Sequence, residues 1–183
     1  MAAAYLGFLV LQAAVLVPTY LVVRPAAGSI VNGLVATIGL LCMIAMHVYS
    51  IARRNARLRR WMRLSWWLHL HIYLGLQGIL LTYLHAMPLF WRHGPPILVN
   101  PAMLNLYALT VVFASGLFGR YLYARIPKTV AGLPWTQGAK RTTSQRLFGT
   151  WIHVHRPIAA AMYLVTAVHV LLGVLFNSWS EWL

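Results

Sequence analysis

Apolar residues gather along this chain in five long blocks, at about 3–23, 30–52, 65–88, 103–124 and 156–177. Each block is long enough to cross hydrocarbon as a helix, which takes about 20 residues. The stretches between them carry the breakers. Residues 25–33 read as a short turn, Pro88 to Pro101 as a Pro- and Gly-rich loop, and 125–150 as a polar, basic loop holding Pro127, Gly132, Pro134 and Gly138. The pattern predicts an all-α fold, a single transmembrane domain over 1–183 built from about five spans. The first block lacks a basic leader and has the length of a full span, so a membrane helix is expected there in preference to a cleaved signal.

Composition agrees with the blocks. The chain is 61% hydrophobic and 9% charged, against roughly 25% charged in soluble domains. With 183 residues there is room for one bundle and no large soluble domain. Its single cysteine, Cys42, excludes an internal disulfide, a Cys-x-x-Cys-His haem attachment and an iron–sulfur cluster within the chain.

A net charge of +14 would suggest nucleic acid in a soluble protein, but here the charges are sorted. Arg53, Arg54, Arg57, Arg59, Arg60 and Arg63 follow the second block, in a basic loop expected over 53–64. Arg120, Arg125, Lys128, Lys140, Arg141, Arg146 and Arg156 flank the loop between the fourth and fifth. Thirteen of the fifteen basic residues therefore share one side, leaving Arg24 and Arg92 opposite. The positive-inside rule then predicts a cytoplasmic N-terminus and an outer C-terminus. A basic run beside the membrane also attracts anionic lipid, and no nucleic-acid partner is expected.

Eight histidines are present, and intramembrane ionisable residues are costly enough to draw attention. His71 and His85 lie fourteen residues apart on the third block, and His155 and His169 fourteen apart on the fifth. Fourteen helical residues return to within roughly 40° of one face and rise roughly 21 Å. Both helices run outward in the expected topology, so His71 is level with His155 and His85 with His169. Two imidazoles facing across a helix pair supply the axial ligands of one haem iron. Two such levels predict two b-type haems with those four residues as iron ligands. Packing histidines or another metal are the alternatives, although zinc and copper usually gather three or four ligands at one level.

The surroundings repeat as well. Trp67-Leu-His-Leu-His71 recurs as Trp151-Ile-His-Val-His155 at an offset of 84, and Thr82 matches Thr166 at the same offset. His69 and His153 fall on another face and read either as groups near the haem propionates or as interfacial histidines facing water. Arg156, Arg63 and Arg120 are near the level where propionates would need cations, and they serve equally as topology charges. Gly75, Gly78 and Ala159–Ala161 offer low surfaces for a flat macrocycle or for helix packing. Packing alone accounts for Ser115, Gly116 and Gly119.

Two His-x13-His helices separated by one intervening span resemble the ferric-reductase-like transmembrane domain, and more broadly the bacterial di-haem cytochrome b membrane subunits. The resemblance covers roughly residues 30–177. It implies haem ligation by His71, His85, His155 and His169 and electron transfer across a bacterial inner membrane. Members of that group usually continue into flavin- and nicotinamide-binding domains, whereas this sequence contains no Gly-x-Gly-x-x-Gly fingerprint.

Glu181 is the only carboxylate, which excludes carboxylate proton relays and carboxylate-bound metals within the spans. A quinone site stays open, with His93 or His47 as its side-chain candidates. The expected function is an electron path between a cytoplasmic or quinone partner and an outer one. A flavoprotein, an iron–sulfur protein or a multihaem cytochrome c would stand at its ends. A terminal reductase subunit is the alternative, and a non-redox assembly or transport module is the reading from a different class.

Overall fold

A computed structural model describes residues 2–93, 101–124 and 143–176. Among these, every regular element is helical: α1 (Ala2–Val23), α2 (Ile30–Ala45), α3 (Val48–Arg54), α4 (Ala56–Trp61), α5 (Leu64–His93), α6 (Pro101–Ala124) and α7 (Thr143–Phe176). Four stretches are long and apolar enough to cross a membrane: Ile30–Arg54, Leu64–Trp91, Ala102–Tyr121 and Arg146–Gly173. The described apolar part of α1, Gly7–Val23, is shorter. Large aliphatic side chains such as Val10, Leu11, Leu34, Ile38 and Leu41 point outward. In hydrocarbon that outward face costs nothing, and the chain is built as a helical membrane bundle.

The helices differ from the sequence expectation at their ends. α5 runs through Pro88 to His93, where a loop from Pro88 was expected. α7 starts at Thr143, inside the expected loop 125–150, and carries Pro157 in its interior. A proline removes one backbone donor and frees the carbonyl four residues earlier. Neighbouring helices can re-satisfy such groups within a membrane bundle, so the helix continues. The expected loop 53–64 is also largely helical, holding the end of α3 and all of α4. Arg125, Lys128, Lys140, Arg141 and Glu181 lie outside the described residues, as do the breakers between Pro127 and Gly138.

The second expected span is interrupted. α2 ends at Ala45, Met46 and His47 form a turn, and α3 resumes at Val48. At the other end, Ser29 caps α2 by accepting from the Asn32 N–H at 3.3 Å, the usual role of a serine at that position. Arg24 adopts a left-handed φ of 44° at the end of α1. Its N–H donates to the Tyr20 carbonyl at 2.9 Å and closes the last turn.

Packing divides the bundle into two antiparallel pairs, α2 with α5 and α6 with α7. In the first pair, glycines let the backbones approach. A Cβ on Gly78 would lie 2.8 Å from Met43 Cγ and 3.4 Å from the Gly39 carbonyl, and one on Gly39 would meet Leu81 Cβ at 3.1 Å. Gly78 therefore serves the α2–α5 crossing, the packing use of small residues. The pairs join through a core of Met43, Ile79, Leu109, Val112 and Met162, drawn from all four long helices. A second cluster seats Tyr20 of α1 against Leu81 and Leu84 of α5. The two His-x13-His helices, α5 and α7, do not run in close backbone contact with each other.

Candidate functional site

His71, His85 and His155 are each held by the segment that precedes them in their own pair. His71 Nδ1 lies 3.0 Å from the Met46 carbonyl, and His85 Nδ1 lies 3.3 Å from the Asn32 carbonyl. A carbonyl only accepts, so Nδ1 carries the hydrogen in both rings and Nε2 keeps its lone pair for a metal. The two carbonyls sit fourteen residues apart on the α2 side, as the two histidines do on α5. Antiparallel packing makes the two registers match. The Met46 carbonyl is reachable because α2 breaks there: the Ser50 N–H turns to His47, and Met46 keeps only a long 3.4 Å bond from the Tyr49 N–H.

Asn32 is almost wholly buried at 1% exposure. Its Nδ2 donates to the Ala27 carbonyl at 2.9 Å, and its Oδ1 accepts from the Tyr20 hydroxyl at 3.1 Å. Both side-chain functions are thereby satisfied, as burial demands. A chain of contacts runs from α1 through Tyr20 and Asn32 to His85.

On the second pair, His155 Nδ1 lies 3.0 Å from Ser115 Oγ on α6. Trp151 Nε1–H donates to the Ser115 carbonyl at 2.8 Å and approaches its hydroxyl at 3.1 Å. The indole stacks on the His155 ring, centroids 4.8 Å apart and planes at 27°. Gly119 makes room for it, since a Cβ there would run into Trp151. Ser115 and Gly119 thus do more than pack α6, contrary to the sequence expectation. Trp67, the repeat partner of Trp151, donates its own indole N–H to the Leu58 carbonyl of α4 at 3.3 Å. The repeated threonines also behave alike. Thr82 Oγ1 bonds the Gly78 carbonyl at 2.8 Å, and Thr166 Oγ1 lies 2.9 Å from both the Met162 carbonyl and Asn105 Oδ1.

Of the two pairs expected from the sequence, His85 with His169 meets ring to ring. The His85 and His169 rings face each other with centroids 6.5 Å apart and planes at 78°. Among the described residues no three His, Cys or carboxylate side chains converge, so His85 and His169 offer two imidazoles without a third such ligand. An iron bound axially by two imidazoles at about 2 Å each would hold their ring centroids about 6 Å apart. The His85–His169 pair has about that separation.

The remaining candidates lie at the edges. His69 is half-buried, and His153, Arg63, Arg120 and Arg156 are exposed. His47 is exposed as well, its ring 4.6 Å from that of Tyr163, whose hydroxyl donates to the Met43 carbonyl at 2.8 Å. His93 ends α5, and its side chain lies outside the described residues.

Removing the Ser115 hydroxyl isolates its contribution. Ser115→Ala leaves His155 Nδ1 without its hydroxyl partner while keeping the Ser115 backbone carbonyl for Trp151. Loss of a partner that orients a ligand typically costs about 10- to 100-fold in metal affinity. Were a haem held by His71 and His155, the variant would release it at correspondingly lower concentrations of an apo-haem acceptor. Equal release from both levels would show that Ser115 does not act through His155. No family model, curated protein or solved structure matches the chain.

Proposed function

We propose that the chain is a di-haem b-type membrane cytochrome that carries electrons across a bilayer. The observation that carries this is the facing pair His85–His169, 6.5 Å between ring centroids on helices that stand apart. Haem would supply a one-electron iron couple at each level. The residues do the rest. His71 with His155, and His85 with His169, would hold the iron through their imidazole nitrogens, and the Met46, Asn32 and Ser115 partners would hold ring orientation. Apolar side chains of four helices keep water from the path. Levels about 21 Å apart along the helices would bring porphyrin edges within tunnelling reach.

In the membrane, α1 is read as a fifth span, with the N-terminus in the cytoplasm and the C-terminus outside. The support is the sorting of basic residues between the two faces. Such a protein belongs in a bacterial inner membrane, its basic face meeting an acidic flavoprotein or iron–sulfur donor. A quinone or a multihaem cytochrome would be the other partner. The protein is an electron-transfer subunit in this proposal, its donor and acceptor being carried by other molecules.

The test is optical. Purified protein from cells with adequate haem should show the sharp alpha and beta bands of reduced bis-imidazole haem after dithionite, with about two haems per chain by pyridine haemochrome. Protein free of haem under those conditions would sink the proposal and favour the packing-histidine reading.

A further inference from the structure

A second, polar site lies where the Ile30–Arg54 span ends. An open cleft of about 750 Å³ is lined by His47, Ser50 and Arg54 of the α3 segment and by Asn55 and Arg57 at the turn into α4. We propose that this cleft binds the phosphate of an anionic phospholipid.

Local geometry builds the site. Asn55 is extended (φ −102°, ψ 115°) and breaks the helix between Arg54 and Ala56. Its Oδ1 accepts from the Arg57 N–H at 2.8 Å, which fixes the amide and leaves Nδ2 as a donor. The turn brings Arg54 and Arg57 to the same cleft, with the Ser50 hydroxyl and the His47 imidazole further along α3. All five offer hydrogen-bond donors or a donor-capable ring, and two are permanent cations.

Charge accounting identifies the ligand. The chain has fifteen basic residues and one acidic residue, Glu181. Arg54 and Arg57 therefore have no carboxylate available among the described residues, and two guanidiniums lining one cleft repel each other. Guanidinium forks match phosphate oxygens in bidentate geometry. The location selects lipid over a soluble phosphate. Arg54 closes a membrane-length apolar stretch, and Ile51, which also lines the cleft, is 54% exposed. A headgroup there would present phosphate to the arginines and keep its acyl chains against the aliphatic face of α2 and α3. Juxtamembrane arginines near an anionic leaflet act in this sense generally; the cleft makes the interaction local. The site does not depend on haem.

The test uses full-length protein in a neutral detergent, with bound lipid measured by native mass spectrometry. Phosphatidylglycerol is expected to stay bound where phosphatidylcholine is lost. Arg54→Gln/Arg57→Gln should lower phosphatidylglycerol retention about tenfold or more, because charge-assisted bonds are removed. Arg59→Gln/Arg60→Gln removes the same charge from outside the cleft and should retain the lipid, with circular dichroism confirming both folds. Equal loss in the two double variants would overturn the proposal in favour of a diffuse basic surface. Displacement of the lipid by inorganic phosphate in equal amount would overturn the lipid assignment and give the cleft to free phosphate.

Discussion

Replacing His169 with alanine is expected to remove about half of the bound haem and leave the other half with an unchanged bis-imidazole spectrum. The His85 ring faces His169 at 6.5 Å, so one alanine deprives a single iron of one axial nitrogen. The other proposed pair, His71 with His155, would sit about 21 Å away along the helices and share no ligand with it. Residues that act as one unit give non-additive losses. His85→Ala/His169→Ala should therefore hold as much haem as either single variant. His71→Ala/His169→Ala should hold almost none, since it opens both levels. Haemochrome assay of these four proteins decides the pairing. If the mixed double variant keeps half its haem and the outer double variant keeps none, the histidines pair across levels and the arrangement proposed here is wrong.

The approach of His85 to His169 was readable in the sequence, for a simple reason. A His-x13-His spacing and an 84-residue repeat are properties of side chains at fixed helical rise, and helices in a membrane deviate little from it. The partners of those histidines were far less legible. Met46 and Asn32 contribute backbone carbonyls, which every residue possesses, so no letter in the sequence marks them. Asn32 did carry one signal, a lone amide in an otherwise apolar block. Its burial at 1% and its bonds to Tyr20 and Ala27 explain why it is there. Ser115 looked like a small packing residue because its hydroxyl meets His155 only through the α6–α7 crossing, forty positions away in the chain.

The helix ends failed for a different reason. Pro88 and the polar residues from Thr143 onward are breakers by local propensity, yet α5 and α7 run through them. Local preference is a weak prior against bundle packing, and membrane helices absorb proline readily. The interruption at Met46–His47 had no breaker residue at all. That interruption has a structural consequence, because the carbonyl it releases is the one that meets His71.

Gly119→Ala is expected to damage the His71–His155 level selectively, although Gly119 touches neither histidine. A methyl group there would overlap the indole of Trp151. That ring cannot swing aside freely. It stacks on His155 at 4.8 Å and donates to the Ser115 carbonyl at 2.8 Å. Relief must come from separating α6 and α7 or from giving up those two contacts. Overpacking of this kind costs about 1–3 kcal/mol, and the loss of ring orientation adds to the cost of ligation. The expected result is a lower melting temperature together with haem loss confined to one level, read as one missing step in a redox titration. Gly116→Ala supplies the contrast. Its Cβ would lie 3.9 Å from His155 Cε1, an ordinary contact, so stability and haem content should stay near those of the parent. Trp151→Phe separates the two causes in the glycine variant. It removes the indole donor and shortens the ring, so in combination with Gly119→Ala it should recover melting temperature without restoring full haem retention. Recovery of both would mean that the indole only fills space. Haem loss from both levels in Gly119→Ala would mean that the α6–α7 crossing supports the whole bundle and has no particular tie to His155.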